Sequence, residues 1–501
     1  MLEYLAAACQ YVFAVDCILA LVIGTFLGVV VGALPGLGSV LGITLCLPFT
    51  FGMKSATAIA LLLGVYAGSV YGGCISAVLL NTPGTPASAA TTFDGFTLAK
   101  NGQSEKALGW ATIASVVGGI ISCLILLCCA PQLASVALKF GPPETCCLIL
   151  MGLTCICTVA QGDIFKGLLA GMMGLFLATV GQDTMTGDER FTFGFFALSG
   201  GVQLIAVLVG VFALSEVFFR IDFVIRNQVT NIIKCRGLQL PSFKDFDLYR
   251  WWLLLKSACI GAFIGILPGT GTSAAVFVSY GEARRSSPRG DKFGTGEPDG
   301  IIAPECANNA VTGGALVPSL ALGLPGDAVT AVMLATLILH GIAPGVRLMQ
   351  DSPDLVYSMF ISLLIANFLL IPFGWICSRG FSYMLKLPES LLLPIITLLC
   401  LLGTYGVRNS IVDLYTCVFM GFFGLFMRYF KIPAAPMVIG LVLGPLFELS
   451  LRQSYLLKRG DMTRVLTEHP IALFLFIIAI GMIVVPMTRR FFTWKKARAQ
   501  A

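Results

Sequence analysis

One interrupted peptide occurs twice in this chain. Gly28-Val29-Val30-Val31-Gly32-Ala33-Leu34-Pro35-Gly36-Leu37-Gly38 returns in the second half as Gly261-Ala262-Phe263-Ile264-Gly265-Ile266-Leu267-Pro268-Gly269-Thr270-Gly271. A second break follows each copy. Gly72-Gly73 leads to Asn81-Thr82-Pro83-Gly84-Thr85-Pro86, and Gly313-Gly314 leads to Gly323-Leu324-Pro325-Gly326-Asp327. All four Pro-Gly steps lie in strongly apolar stretches. Proline and glycine break helices, and in hydrocarbon a broken helix leaves amides and carbonyls without partners. Such breaks persist only where protein, water, an ion or a substrate takes up the freed groups. Interrupted segments at matching positions of two halves therefore point to a transporter's binding site.

The surroundings are a membrane protein's. The chain has 501 residues, 57% hydrophobic and 12% charged, whereas soluble domains carry about 25% charge. Runs such as 113–129, 204–219, 356–375 and 471–487 approach the roughly 20 residues that a crossing needs. About ten to thirteen crossings are expected, with up to four half-helices at the breaks. The net charge of +6 sits at helix ends and in loops and is no sign of nucleic-acid binding. The 17 cysteines lack metal spacing, and two histidines make no imidazole cluster. No Walker lysine motif, His-Glu-x-x-His pattern or Gly-x-Ser-x-Gly elbow is present, so neither ATP hydrolysis nor esterase chemistry is indicated. No enzyme activity and no cofactor are expected.

The chain divides into a first transmembrane repeat at 1–219, a basic linker at 220–250 that could lie as a helix on the membrane surface, a second repeat at 251–488 and a basic tail at 489–501. The paired breaks favour repeats of inverted topology. The basic linker and basic tail, both cytoplasmic by the positive-inside rule, favour an even number of crossings per half. Inversion is the reading adopted. The fold class expected is an all-α polytopic membrane protein of two homologous repeats with broken helices and re-entrant hairpins, working as an elevator-like secondary transporter.

The candidate substrate and ion residues follow the breaks. They are Pro35, Gly36 and Gly38; Asn81, Thr82, Pro83, Gly84 and Thr85; Pro268, Gly269, Gly271 and Thr272; and Pro325, Gly326 and Asp327. Ser39 and Ser273 add hydroxyls beside them. Helix N-termini at such breaks offer amides to anions, and unwound carbonyls suit cations. Glu305, Asn308 and Asn309 join the set. Glu305 and Asn309 lie one turn apart on one helix face, and an ionisable group at membrane depth defaults to function. Glu305, Asn309 and Asp327 are the candidate ligands of a sodium ion. The plainer alternatives are prolines that only kink helices and a Glu305 that caps a helix at the interface.

Together these segments resemble the large membrane subunit of the bacterial tripartite tricarboxylate transporters. The resemblance is carried by Gly32-Ala33-Leu34-Pro35-Gly36-Leu37-Gly38, Asn81-Thr82-Pro83-Gly84, Arg190-Phe191-Thr192-Phe193-Gly194, Pro304-Glu305 with Ala307-Asn308-Asn309-Ala310, Leu324-Pro325-Gly326, and Glu448 with Leu451-Arg452-Gln453-Ser454. One departure is His469-Pro470-Ile471, where the family pattern has arginine first. The resemblance implies a multi-pass permease of the bacterial inner membrane for citrate and related carboxylates. It also implies symport with sodium or protons, a small four-helix membrane subunit as partner, and a periplasmic binding protein that delivers substrate. Two other classes stay open at this point: a channel lined by the four breaks, and a membrane-embedded enzyme using Glu305 and Asp327 as paired carboxylates.

Overall fold

The structure, a computed structural model, describes residues 2–159, 164–183, 185–224, 233, 235–268, 271–384, 389–457 and 460–500. It is almost wholly helical. Eight helices among the described residues are long and apolar enough to cross a membrane. Four shorter apolar helices, at 38–52, 164–178, 328–339 and 470–485, accompany them.

The first half opens with α1 (Leu2–Val12), α2 (Val15–Ala33), α3 (Gly38–Cys46) and α4 (Ser55–Leu80), followed by α5 (Thr91–Leu98) and the long α6 (Ser104–Ala137). It continues through α7 (Pro142–Val159), α8 (Ile164–Ala178), a two-stranded hairpin pairing Gly181 with Arg190, and α9 (Leu204–Leu208), which runs on through a π-helical segment into α10 (Ser215–Val224). The second half has α11 (Leu248–Ile266), α12 (Gly271–Ser286), α13 (Asp299–Leu322), α14 (Ala328–Leu339), the short α15 (Leu348–Asp351) and the long α16 (Pro353–Met384). It ends with α17 (Glu389–Arg408), α18 (Ile411–Tyr429), α19 (Ala434–Leu457), α20 (Met462–Thr467) and α21 (Pro470–Gln500). Of the linker, residues 235–247 contain a single 3-10 turn at Phe243–Asp245, and residues 225–232 and 234 lie outside the described residues. The helix α21 crosses the expected 488/489 boundary without a break.

Glycine decides how the inner helices pack. Gly24, Gly28 and Gly32 of α2 lie against the backbone at Leu61, Val65 and Ser69 of α4, and Gly64, Gly68 and Gly72 of α4 return the contact. A Cβ at any of these would collide with backbone atoms. The constant offset along both helices makes α2 and α4 parallel neighbours. The second half packs alike: Gly261 and Gly265 of α11 lie on Ala307 and Val311 of α13. The ends match too. Leu34 and Leu267 both leave their helix in extended conformation, with φ/ψ of −81°/117° and −78°/113°. Close approach of this kind replaces hydrophobic driving force inside a membrane, where lipid is as apolar as leucine.

Each half thus builds two hairpins. In the first, α2 climbs beside α4 to the level of Ser69, the chain turns at Pro35-Gly36, and α3 descends with Gly42 beside Val65. The second starts at the far end of α4. The chain reverses at Asn81, in left-handed conformation with φ 56°, and drops back until Gly84 donates to the Gly73 carbonyl at 3.4 Å. It then leaves through α5, with Gly95 against Val78. The Gly323 reversal (φ 72°) repeats this, bringing Gly326 down onto Ala315 before α14 leaves. The chain returns along each long helix from these reversals, so that Thr85 and Asp327, rather than Asn81 and Gly323, reach the level of Gly73 and Ala315.

Candidate functional site

The four breaks meet. A cavity of about 250 Å3 is lined from the first break by Ser39 and Val40, from the second by Thr85, Pro86 and Ala87, from the third by Thr272 and Ser273, and from the fourth by Asp327, Ala328 and Val329. Tyr66 and Val70 of α4, Asn308 of α13, and Ala435, Pro436 and Ile439 of α19 complete it. The volume lies below the roughly 300–1,000 Å3 of sites for drug-sized ligands, and suits a small metabolite.

Four helices point their N-termini at this space: α3 through Ser39, α12 through Thr272, α14 through Ala328 and α19 through Ala435. First-turn amides have no partner inside their own helix, and each N-terminus carries a partial positive charge of about half a unit. Carboxylates are what the termini of α3, α12 and α19 attract, while α14 already has the Asp327 carboxylate at its end. Asp327 also faces the cavity, yet its oxygens are engaged. It caps α14 by accepting from the Thr330 amide at 2.7 Å and the Thr330 hydroxyl at 2.9 Å. Tyr66 donates its phenol to the other oxygen at 2.8 Å, tying α4 to the fourth break.

The remaining candidates divide by position. Thr272 and Thr85 line the cavity, with the Thr85 hydroxyl 3.2 Å from that of Ser88. Asn81 and Thr82 are exposed at the outer end of α4 and lie off the cavity wall, and Pro83 is half-buried between them and the cavity. Gly84 and Gly326 are packing positions: a Cβ would strike the Gly32 carbonyl in one case and Ala315 in the other. Pro325 is buried beside Gly326. Gly36, with φ 82°, faces Arg220 of α10, whose guanidinium donates to the Pro35 carbonyl; this clamp serves a carbonyl freed by the break. Gly38 (φ 70°) opens α3 with no atom near its Cα substituent position. Pro268 is buried, Gly271 starts α12, and Gly269 lies outside the described residues.

Glu305, Asn308 and Asn309 are completely buried in α13. Asn308 reaches the cavity wall and donates to the Val70 carbonyl at 3.2 Å. Glu305 turns the other way, accepting from Thr91 of α5 and, at 3.4 Å, from Ser115 of α6. Glu305 and Asp327 therefore have separate partners and do not form one cluster. Among the described residues no group of three or more His, Cys, Asp and Glu could hold a metal ion. A larger groove, about 400 Å3 between α8 and α18, is lined by Met172, Phe176, Phe419 and other apolar side chains and offers nothing to a carboxylate.

Sequence reasoning missed Tyr66 and Val70, which sit in an apolar helix without a local break, and Ala435 and Pro436, which open α19 after the turn at Lys431. It did single out Arg190, Glu448 and Arg452, and these prove to be partners. Arg190 meets Glu448 at 2.7 Å, Arg452 meets Asp183 and Glu448 at 2.8 Å each, and together they fasten the β-hairpin to α19, whose first turn forms part of the cavity. The Met185 and Thr186 amides, with Arg452, hold the Asp183 carboxyl down at about 2.

The family described as the tripartite tricarboxylate transporter TctA family matches residues 18–439. The chain belongs to that family. Among its relatives is the uncharacterized 52.8 kDa protein in the TAR-I ttuC' 3' region of Agrobacterium vitis, 36% identical over 465 residues, which are 93% of this chain and 92% of the relative. Another, the uncharacterized protein in the TAR-II ttuC' 3' region of the same organism, is 34% identical over 212 residues, covering 42% of this chain and 87% of that one. No solved structure matches. This TctA-family protein is thus a multi-pass membrane component of a tripartite tricarboxylate transporter, a system with partner subunits.

Proposed function

We propose that this chain is the permease subunit that carries a citrate-like carboxylate across the bacterial inner membrane, by symport with sodium or protons. A periplasmic binding protein delivers the anion, and a small four-helix membrane subunit accompanies the permease. The observation that carries the reading is the meeting of four helix N-termini, drawn from both halves, on one small cavity. Such an array stabilises an anion with several carboxylates better than any neutral solute.

The transport step is read as an elevator movement of two inverted repeats. Contacts between α4 and α13 support inversion. Val70 lies beside Asn308, while Tyr66 reaches Asp327, whose neighbour Gly326 packs on Ala315. Moving back along α4 from Val70 to Tyr66 therefore matches moving forward along α13 from Asn308 toward Ala315, so the two helices run antiparallel. Asn81 and Thr82 meet the anion on its way to or from the cavity, since they stand at the outer end of the segment that Thr85 ends within.

The deciding experiment is uptake of labelled citrate and related carboxylates by proteoliposomes. The permease would be tested alone, with the membrane subunit, and with the binding protein added, each with and without an inward sodium gradient. Gradient-driven accumulation that needs all three proteins is expected. Saturable high-affinity uptake by the permease alone would refute dependence on the binding protein, and unsaturable flux would replace the carrier by a channel.

A further inference from the structure

Glu305 is a buried carboxylate that makes no ion pair among the described residues. Its exposure is 0%, and its partners are the hydroxyls of Thr91 and Ser115 and the Asn308 side chain. Withdrawing a carboxylate from water costs several kcal/mol unless a positive charge replaces the lost solvation. A second observation, independent of the first, lies one helical turn away. Asn309 is also wholly buried; its amide nitrogen folds back to the Glu305 carbonyl at 3.4 Å, and its Oδ1 has no hydrogen-bond partner. Asn308 Oδ1 is likewise unpartnered. Buried oxygens of this kind are rare, and each asks for a donor or a cation.

We propose that Glu305, Asn309, Thr91 and Ser115 form a binding site for one monovalent cation, sodium, distinct from the anion cavity. The charge count selects the class. One carboxylate among neutral oxygens balances a single positive charge, whereas divalent ions are held by more carboxylates. The oxygen set excludes the softer metals that require sulfur or imidazole. A proton on Glu305 would neutralise the carboxylate and could serve a single oxygen, whereas a sodium ion is held by several oxygens at once, which is what the carboxylate, the two hydroxyls and the Asn309 Oδ1 supply. Three helices supply the ligands: α5, which follows the Thr85 break, α6, and α13, which carries Asn308 into the cavity wall. Asn308 touches both Glu305 and the cavity, so filling the cation site fixes one wall of the anion site. By linkage, sodium and the anion raise each other's affinity by the same factor. The expectation that Asp327 shares this ion is not kept, since Asp327 is spent on Tyr66 and Thr330.

The proposal deepens the symport reading and is tested without transport. The full chain, purified in detergent at neutral pH and constant ionic strength, is titrated with sodium chloride against potassium and choline chloride. Thermal unfolding and binding of radioactive sodium are both read. The expected result is saturable sodium binding with a rise in the unfolding midpoint that potassium and choline do not produce. Glu305→Gln abolishes both, and Thr91→Val and Ser115→Ala, which keep the packing, weaken sodium binding about tenfold or more. Wild-type protein that neither binds sodium nor is stabilised by it overturns the proposal with no mutant needed. Stability that follows pH through Glu305 while ignoring sodium replaces the cation by a proton. Undiminished sodium binding in Glu305→Gln moves the site elsewhere. If sodium binds as described but proteoliposomes fail to accumulate carboxylates, the transport reading fails and the site stands.

Discussion

At the scale of single residues, Asp327 does two jobs that can be separated. It caps α14 and it accepts the Tyr66 phenol. Asp327→Ala removes the cap and leaves a buried phenol unpaired, so a loss of about 2–4 kcal/mol is expected in denaturation of the purified protein. Tyr66→Phe removes one hydrogen bond and should cost about 1 kcal/mol. A second prediction concerns Asn81, which is exposed and left-handed. Asn81→Gly keeps that backbone and deletes only the side chain, whereas Asn81→Ala also strains it by about 1 kcal/mol. If the side chain meets substrate, both variants lose uptake; wild-type uptake in Asn81→Gly would show that only the turn matters. The legible residues were those whose chemistry clashes with an apolar context: Thr85, Thr272, Asn308 and Asp327 all stand out in sequence and all line the cavity. Tyr66 and Val70 do not stand out. An apolar or aromatic residue in an apolar helix carries no mark of which side it faces until its neighbours are known.

At the scale of elements, the breaks were readable and their geometry was not. A Pro-Gly step announces that a helix stops, but it does not say how far the chain returns before the next helix begins. The return from Asn81 to Thr85 is set by the fit of Gly84 between the Gly32 carbonyl and Ser76, a contact across three elements. Gly84→Ala is therefore expected to prevent assembly of the second break. Gly28→Leu in the α2–α4 contact should reduce the yield of folded protein, since overpacking costs about 1–3 kcal/mol even where neighbours can shift, and here the neighbour is backbone. Monodisperse size-exclusion profiles for both variants would contradict this. The β-hairpin against α19 supplies a pH test. The Asp183 carboxyl is held below its ordinary value, so its stabilisation is fully present above about pH 4 and is lost as pH falls toward about 2. The stability gap between wild type and Asp183→Asn should be constant from neutral pH down to about 4 and shrink below it.

At the scale of the whole molecule, the pairing of breaks was visible in sequence, while the relative direction of the helices that carry them was not. Charge at the linker and tail pulled against the pairing of breaks, and only contacts between α4 and α13 distinguish the two arrangements. Inverted halves place the exposed residues Asn101 and Ala343, which follow the second break of each half, on opposite membrane faces. Single cysteines at these positions, with the exposed Cys128 and Cys259 changed to serine, should react with an impermeant reagent from opposite sides of sealed vesicles. Labelling from one side would establish parallel repeats instead. The halves are alike in path but not in chemistry. Thr85 and Asp327 end matching segments in the same cavity and differ by a carboxylate. A carrier of two identical inverted halves would rest with equal ease facing either compartment. On the proposed reading of this chain as a carrier of inverted halves, a carboxylate at Asp327 opposite the neutral Thr85 breaks that equality, and the empty protein is expected to rest preferentially toward one compartment.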